Sequence, residues 1–136
     1  MLAFDFGTRR IGVAVGNTLV RVAHPLVTID DEASARRFAA IAALVDEWKP
    51  GMLVVGVPVH ADGTPHEMTA RARRFARQLH GRHGLPVVEA DERWTTQDAQ
   101  SALDAAGRGG RRGRAMRDAL AAQMILLGYF DASGHH

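Results

Sequence analysis

Two short apolar segments, residues 2–7 (LAFDFG) and 11–16 (IGVAVG), flank a turn through Thr8, Arg9 and Arg10, and they oblige the chain to open with a β-hairpin. In the first, Leu2, Phe4 and Phe6 alternate with Ala3 and Asp5, so one strand face is apolar and the other carries a carboxylate. Asp is depleted from strands, and a carboxylate among apolar neighbours is costly unless it is paired, hydrogen-bonded or bound to a cation. Asp5 is therefore either a cap on the turn at Gly7 and Thr8 or part of a site.

The rest of the chain builds on that hairpin. Residues 22–29, interrupted near Pro25, extend the meander as a third strand. Asp30 or Asp31 can cap a helix over about 32–48, with Phe38, Ile41, Val45 and Trp48 as its inward positions and Pro50-Gly51 as its stop. The run 52–57 (MLVVGV) is continuously apolar, as a strand covered on both faces must be. A loop containing Asp62-Gly63 leads into a helix over about 67–80, with Met68, Ala72, Phe75 and Leu79 inward and Arg71, Arg73, Arg74 and Arg77 outward. A fifth strand at 86–90 precedes a helix capped by Thr95 or Thr96 and ended by Gly107. Residues 107–113 read as a Gly/Arg loop without regular structure, and the last helix spans about 115–130. Three antiparallel strands followed by alternating helices and strands specify an α/β fold, a five-stranded mixed sheet with helices on both faces. At 136 residues the expectation is one domain over 1–130 and a flexible tail over 131–136.

Composition narrows the function. There are no cysteines, which excludes disulfide scaffolds, thiolate zinc sites and a thiol nucleophile. No apolar run reaches the ~18–20 residues of a membrane span. The N-terminal residues carry neither a basic region nor a cleavage site, so a cytoplasmic protein is expected. Seventeen basic residues against fifteen acidic leave a net charge of +2. Sixteen of the seventeen are arginine, with Lys49 alone as lysine. Arg108, Arg111, Arg112, Arg114 and Arg117 crowd one acid-poor stretch, which suits a polyanionic partner as well as it suits a solvated loop.

Two further acids stand out beside Asp5. Asp91-Glu92-Arg93 follows the fifth strand directly, and ligand-binding groups of open α/β sheets gather beyond the carboxyl ends of strands. Asp118 falls in the first turn of the expected last helix, where an acid suits the helix dipole. It also shares a helical stripe with Ala122, Ile125 and Tyr129, which turns it inward. Carboxylates from two strand ends and a helix could converge on one cleft, and such oxygens are what hard divalent cations take. No HxxxH pair points to zinc, and there is no Walker loop, GxGxxG or GxSxG.

Taken together, LAFDFGTRRIGVAVG, VVGVPVHADGTPHEMTARARRFA, Asp91-Glu92-Arg93 followed by Trp94-Thr95-Thr96, and RDALAA in the last helix resemble the YqgF family. That family is RNase H-like and is described both as Holliday junction resolvase and as pre-16S rRNA nuclease. The likeness runs in order from Leu2 to about Phe130. It implies an RNase H-like sheet with the first strand central, and it places the family's three acidic positions on Asp5, Glu92 and Asp118.

The reading that follows is a nuclease for structured RNA, pre-16S rRNA by the resemblance, either free or on the ribosome. Asp5, Glu92 and Asp118 would hold one or two Mg²⁺ or Mn²⁺ ions. Thr8, Arg9, Arg93, Thr95, Arg111, Arg112 and Arg114 would contact phosphates. A resolvase of branched DNA is the alternative within enzymes, and it would favour a homodimer over a monomer because junction resolution needs paired cuts. A third reading is a non-catalytic nucleic-acid- or nucleotide-binding module, since Asp5-Phe6-Gly7-Thr8 is similar to the phosphate loop of actin-like ATPases.

Overall fold

The computed structural model describes residues 1–60, 62–92, 105 and 110–133. Its elements are β1 (Leu2–Phe6), β2 (Arg10–Asn17), β3 (Val22–Asp30), α1 (Ser34–Trp48), β4 (Leu53–Val57), α2 (Thr69–His83), β5 (Val87–Asp91) and α3 (Gly110–Ser133). The five strands form one sheet in the order β3-β2-β1-β4-β5, so the first strand is central. β1, β2 and β3 pair antiparallel, while β4 joins β1, and β5 joins β4, in parallel. Pro25 is tolerated because β3 is an edge strand, and the β2–β3 register shifts beside it, between Val13 and Ala14.

Strand alternation sorts the side chains into two cores. Leu2, Phe4, Ile11 and Val13 meet Phe38 and Ile41 of α1 and Phe75 and Leu79 of α2. Ala3, Ala14, Val54 and Ala90 meet Ala122, Ile125, Leu126 and Phe130 of α3. Helices thus cover both faces, as expected, but the faces differ in kind. The α3 side is paved with small residues, and α3 sits very close to it. A Cβ at Gly12 would fall 1.9 Å from the Asp118 carbonyl oxygen, and one at Gly16 would fall 2.4 Å from Leu126 Cδ2. At Gly12 only glycine lets the helix backbone approach the sheet this closely, while at Gly16 it makes room for the Leu126 side chain.

Several expectations need correction. α3 begins at Gly110, so residues 110–113 are helical where a Gly/Arg loop was expected. Asp118 consequently stands in the third turn of α3, away from its N-terminus. The helix also runs to Ser133 and takes in the first residues of the expected tail. Once the apolar segment from Ala119 onward is docked on the sheet, extending the helix over the largely exposed residues before it costs little, because propagation is far cheaper than nucleation. No side chain of Asp30 or Asp31 caps α1, whose N-cap is Ala33; Asp31 accepts instead from the Ala33 N–H at 2.9 Å. Trp48 is 43% exposed because it ends α1 beyond the sheet edge. The helix expected after Thr95, with its end at Gly107, lies outside the described residues.

Candidate active site

Asp5 is the last but one residue of β1 and sits on the α3 side of the sheet, opposite Gly12 of β2. Its other neighbour, β4, is in register so that Phe4 pairs with Val55, which puts Asp5 level with Gly56. Gly56 in turn pairs with Ala90 of β5, and Glu92 follows two residues later on the same face. Because Gly56 has no side chain, the Glu92 carboxyl can lie across β4. A Cβ at Gly56 would come within 3.1 Å of Glu92 Oε1 and 2.4 Å of Ile125 Cδ1. Glu92 reaches Asp5, and the two carboxyl groups share a hydrogen bond.

A hydrogen bond between two carboxyls requires a proton, and the surroundings supply the reason it stays. Protein atoms crowd Asp5 on nearly every side although a narrow opening to solvent remains. Desolvation first, then the charges of Glu92 and Asp118, push its pKa up to about 8. Glu92 is also raised, chiefly by desolvation. Burial and mutual repulsion thus favour the protonated form of the pair, whose two carboxyls titrate together.

Asp118 is buried, at 8% exposure, and its charge is felt at Asp5. It is held by arginine: Arg10 Nε donates to Oδ2 at 2.5 Å, and Arg117 Nη1 lies 3.9 Å from Oδ1. Among the described residues no group of three or more acids or histidines stands ready to enclose a metal ion. Of the three acids named from the sequence, Asp5 and Glu92 are thus neighbours, while Asp118 lies within electrostatic reach of Asp5 and is bound by Arg10. The donor set still fits a hard divalent cation. It is all oxygen, and the proton held between Asp5 and Glu92 marks a negative charge that the fold leaves uncompensated.

The phosphate-contact candidates divide. Thr8 and Arg9 are exposed in the β1–β2 turn, and Arg9 Nε donates to Glu32 at 3.0 Å. Arg112 and Arg114 project from the first turns of α3 into an open cleft of about 900 Å³, shared with Arg9, Arg10 and Arg36 and with Asp30, Asp31 and Glu32. Arg93, Thr95 and the side chain of Arg111 lie outside the described residues. Arg10, Gly12 and Gly56 escaped the sequence reading. The signal for the first two was strand alternation, which lines up residues 10, 12, 14 and 16 of β2 on the face that Asp5 shares.

A central antiparallel hairpin, two parallel strands beyond it, and acids gathered at the strand ends against a covering helix define an RNase H-like protein. The solved structure of T. thermophilus RuvC in complex with Holliday junction substrate matches over 99% of this chain and 97% of that one, with a TM-score of 0.60 at 18% identity. The family model described as RuvX: Holliday junction resolvase matches residues 1–132, and the chain belongs to that family. A relative from Nitrosomonas europaea is 56% identical over 133 residues, covering 98% of this chain and 90% of its own. One from Chromobacterium violaceum is 53% identical over 134 residues, covering 98% of each. Both carry the name "Putative pre-16S rRNA nuclease". Membership places the chain among hydrolases of phosphodiester bonds.

Proposed function

We propose that this protein is a divalent-metal-dependent nuclease that processes the 5′ end of pre-16S rRNA. The observation that carries the reading is the hydrogen-bonded Asp5–Glu92 pair beside Asp118, a desolvated acidic cluster at the carboxyl ends of β1 and β5. Such a cluster is expensive to keep and suits a centre that neutralises a phosphodiester. Asp5 and Glu92 would hold Mg²⁺ or Mn²⁺, with Asp118 joining them. The bound cation would offset charge at the phosphate and make a nearby water more acidic.

The protein's own groups do the rest. Asp5 and Glu92 release their shared proton as the site is charged. Arg10, freed from Asp118, is placed to meet the phosphate on that side. Arg112 and Arg114, in the cleft next to Arg10, would take flanking phosphates of a structured RNA. Thr8 and Arg9 at the turn, and Arg93 and Thr95 beyond Glu92, complete the proposed contacts, with Arg111 beside Arg112.

The test is cleavage of precursor rRNA by the purified protein in Mn²⁺, with Asp5→Asn as control and a four-way DNA junction as rival substrate. Cutting of precursor RNA by wild type alone supports the reading. Symmetric cutting of the junction in preference to RNA replaces it with the resolvase reading, which the family description and the RuvC fold favour.

A further inference from the structure

On the sheet face opposite Asp5, α1 and α2 do not close over the strand ends but leave a cleft of about 340 Å³. Each helix turns a matched stripe toward it. α1 gives Ser34, Arg37 and Phe38, spaced i, i+3, i+4, and α2 gives Arg71, Arg74, Phe75 and Gln78, spaced i, i+3, i+4, i+7. Three arginines therefore line one cavity, and no acidic residue lines it among the described residues.

Arg37 is the unusual member. It is 7% exposed, and its guanidinium lies 5.3 Å above the ring of Phe6. One terminal nitrogen donates to the Gly7 carbonyl, while Nε is buried with no hydrogen-bond partner among the described residues. Desolvation dominates at Arg37, and the charges of Asp31 and Glu32 offset it only in part, so its guanidinium, with five N–H donors, has room for a further anionic partner. Arg71 and Arg74 are exposed and form no ion pair among the described residues. They belong to a helix that carries Arg71, Arg73, Arg74, Arg77 and Arg82 and no Asp or Glu. Of these, Arg73 pairs with Glu89 at 3.2 Å and Arg82 stacks on Phe38 at 3.9 Å, which leaves the cleft-facing pair uncommitted. The aromatic floor is rigid: Phe6 stacks on Phe75 at 4.8 Å.

We infer that the α1–α2 cleft is a phosphoryl-binding pocket in which Arg37, Arg71 and Arg74 converge on one phosphate group, separate from the acids across the sheet. Planar guanidinium forks suit phosphate oxygens, and the cleft volume lies within the usual range for small-ligand sites. The phosphate can come from a nucleic-acid strand that passes over the end of β1, or from a free phosphate or nucleotide. The strand source rests on the nuclease reading; the pocket itself does not.

The test follows the Arg Nε–Hε signals of Asp5→Asn protein by NMR, in metal-free buffer at constant ionic strength. Inorganic phosphate, a twelve-nucleotide single-stranded RNA and sodium chloride are titrated separately. Saturable shifts of the Arg37, Arg71 and Arg74 signals with phosphate at low millimolar concentration are expected, with affinity reduced at least tenfold in Arg71→Ala/Arg74→Ala when followed at Arg37. Both replaced residues are exposed, so the fold survives. The same Arg37 shift with micromolar RNA identifies a strand phosphate as the source, and a shift with phosphate alone identifies a free anion. Silence at Arg37 with both probes, the same shift with chloride, or undiminished affinity in the double variant overturns the pocket. None of these outcomes depends on cleavage, so failure of the nuclease reading is seen separately.

Discussion

Arg10 donates from Nε to Oδ2 of Asp118 at 2.5 Å, joining the first residue of β2 to the third turn of α3 across 108 positions of sequence. The bridge does two things at once. It fastens the covering helix to the central hairpin, and it places a fixed positive charge where a divalent cation would need a third carboxylate. Removing it should separate these effects. Arg10→Ala should lower apo stability by ~1–3 kcal/mol, because a buried acid is left without its donor. The variant should also show a larger rise in melting temperature with millimolar Mn²⁺ than wild type, since the cluster gains a net negative charge. A smaller metal-induced rise would show that Arg10 positions Asp118 for the metal.

The acid pair should make apo stability fall as pH rises. Asp5 has a folded pKa of about 8 against an ordinary 3.8, so the folded state binds more protons than the unfolded state throughout that window. Stability is highest near and below the lower value and declines toward the upper one, with a maximum slope of about 1.4 kcal/mol per pH unit per proton. Urea denaturation at pH 5 and pH 8 in chelator should show the decline, and Asp5→Asn should flatten it. A wild type equally stable at both pH values would mean that Asp5 is charged in the fold.

Asp5→Asn keeps shape and a hydrogen-bonding group while removing a carboxyl that must take up a proton on folding at neutral pH and that cannot ionise cheaply in the site. Cleavage should fall by something on the order of 10²–10³-fold or more. The apo melting temperature should rise, by the equivalent of ~1–3 kcal/mol, and the metal-dependent gain seen in wild type should shrink. Thermal melts of both proteins with and without Mn²⁺ decide this. Equal metal shifts would return Asp5 to the role of a turn-capping acid.

Gly12→Ala tests the close approach of α3. Its Cβ would overlap the Asp118 carbonyl oxygen, which is backbone and cannot rotate away, so α3 must move. The expected loss is ~1–3 kcal/mol of stability, accompanied by weaker metal stabilisation because Asp118 moves with the helix. A chemical denaturation curve and a metal titration on the folded fraction measure both.

Arg112→Ala/Arg114→Ala should weaken RNA binding and flatten its salt dependence. Each lost phosphate contact reduces the log–log slope by about 0.7 to 0.9, so two should reduce it by about 1.4 to 1.8. A salt titration with a non-cutting background would show it, and an unchanged slope would take this cleft off the RNA path.

The residue pattern by itself determined the strand count, the hairpin opening and the assignment of Leu2, Phe4 and Phe6 to one face and Asp5 to the other, because strand alternation is a local property. It also marked Asp5 as anomalous and offered the Asp91-Glu92-Arg93 tripeptide and Asp118 as candidates, among which the family resemblance selected Glu92. It misjudged residues 110–113, which the longer α3 takes up as its N-terminal turn, and Trp48, which is left 43% exposed at the end of α1. What the acids do to one another was decided only by tertiary structure. Gly56 opens the path by which Glu92 reaches Asp5, and Gly12 admits the backbone at Asp118. Arg10 then claims the third acid, while Arg37 reaches from α1 to the Gly7 carbonyl beyond the end of β1. These are contacts between segments far apart in sequence, and desolvation and Coulomb energies depend on distances that no local pattern encodes.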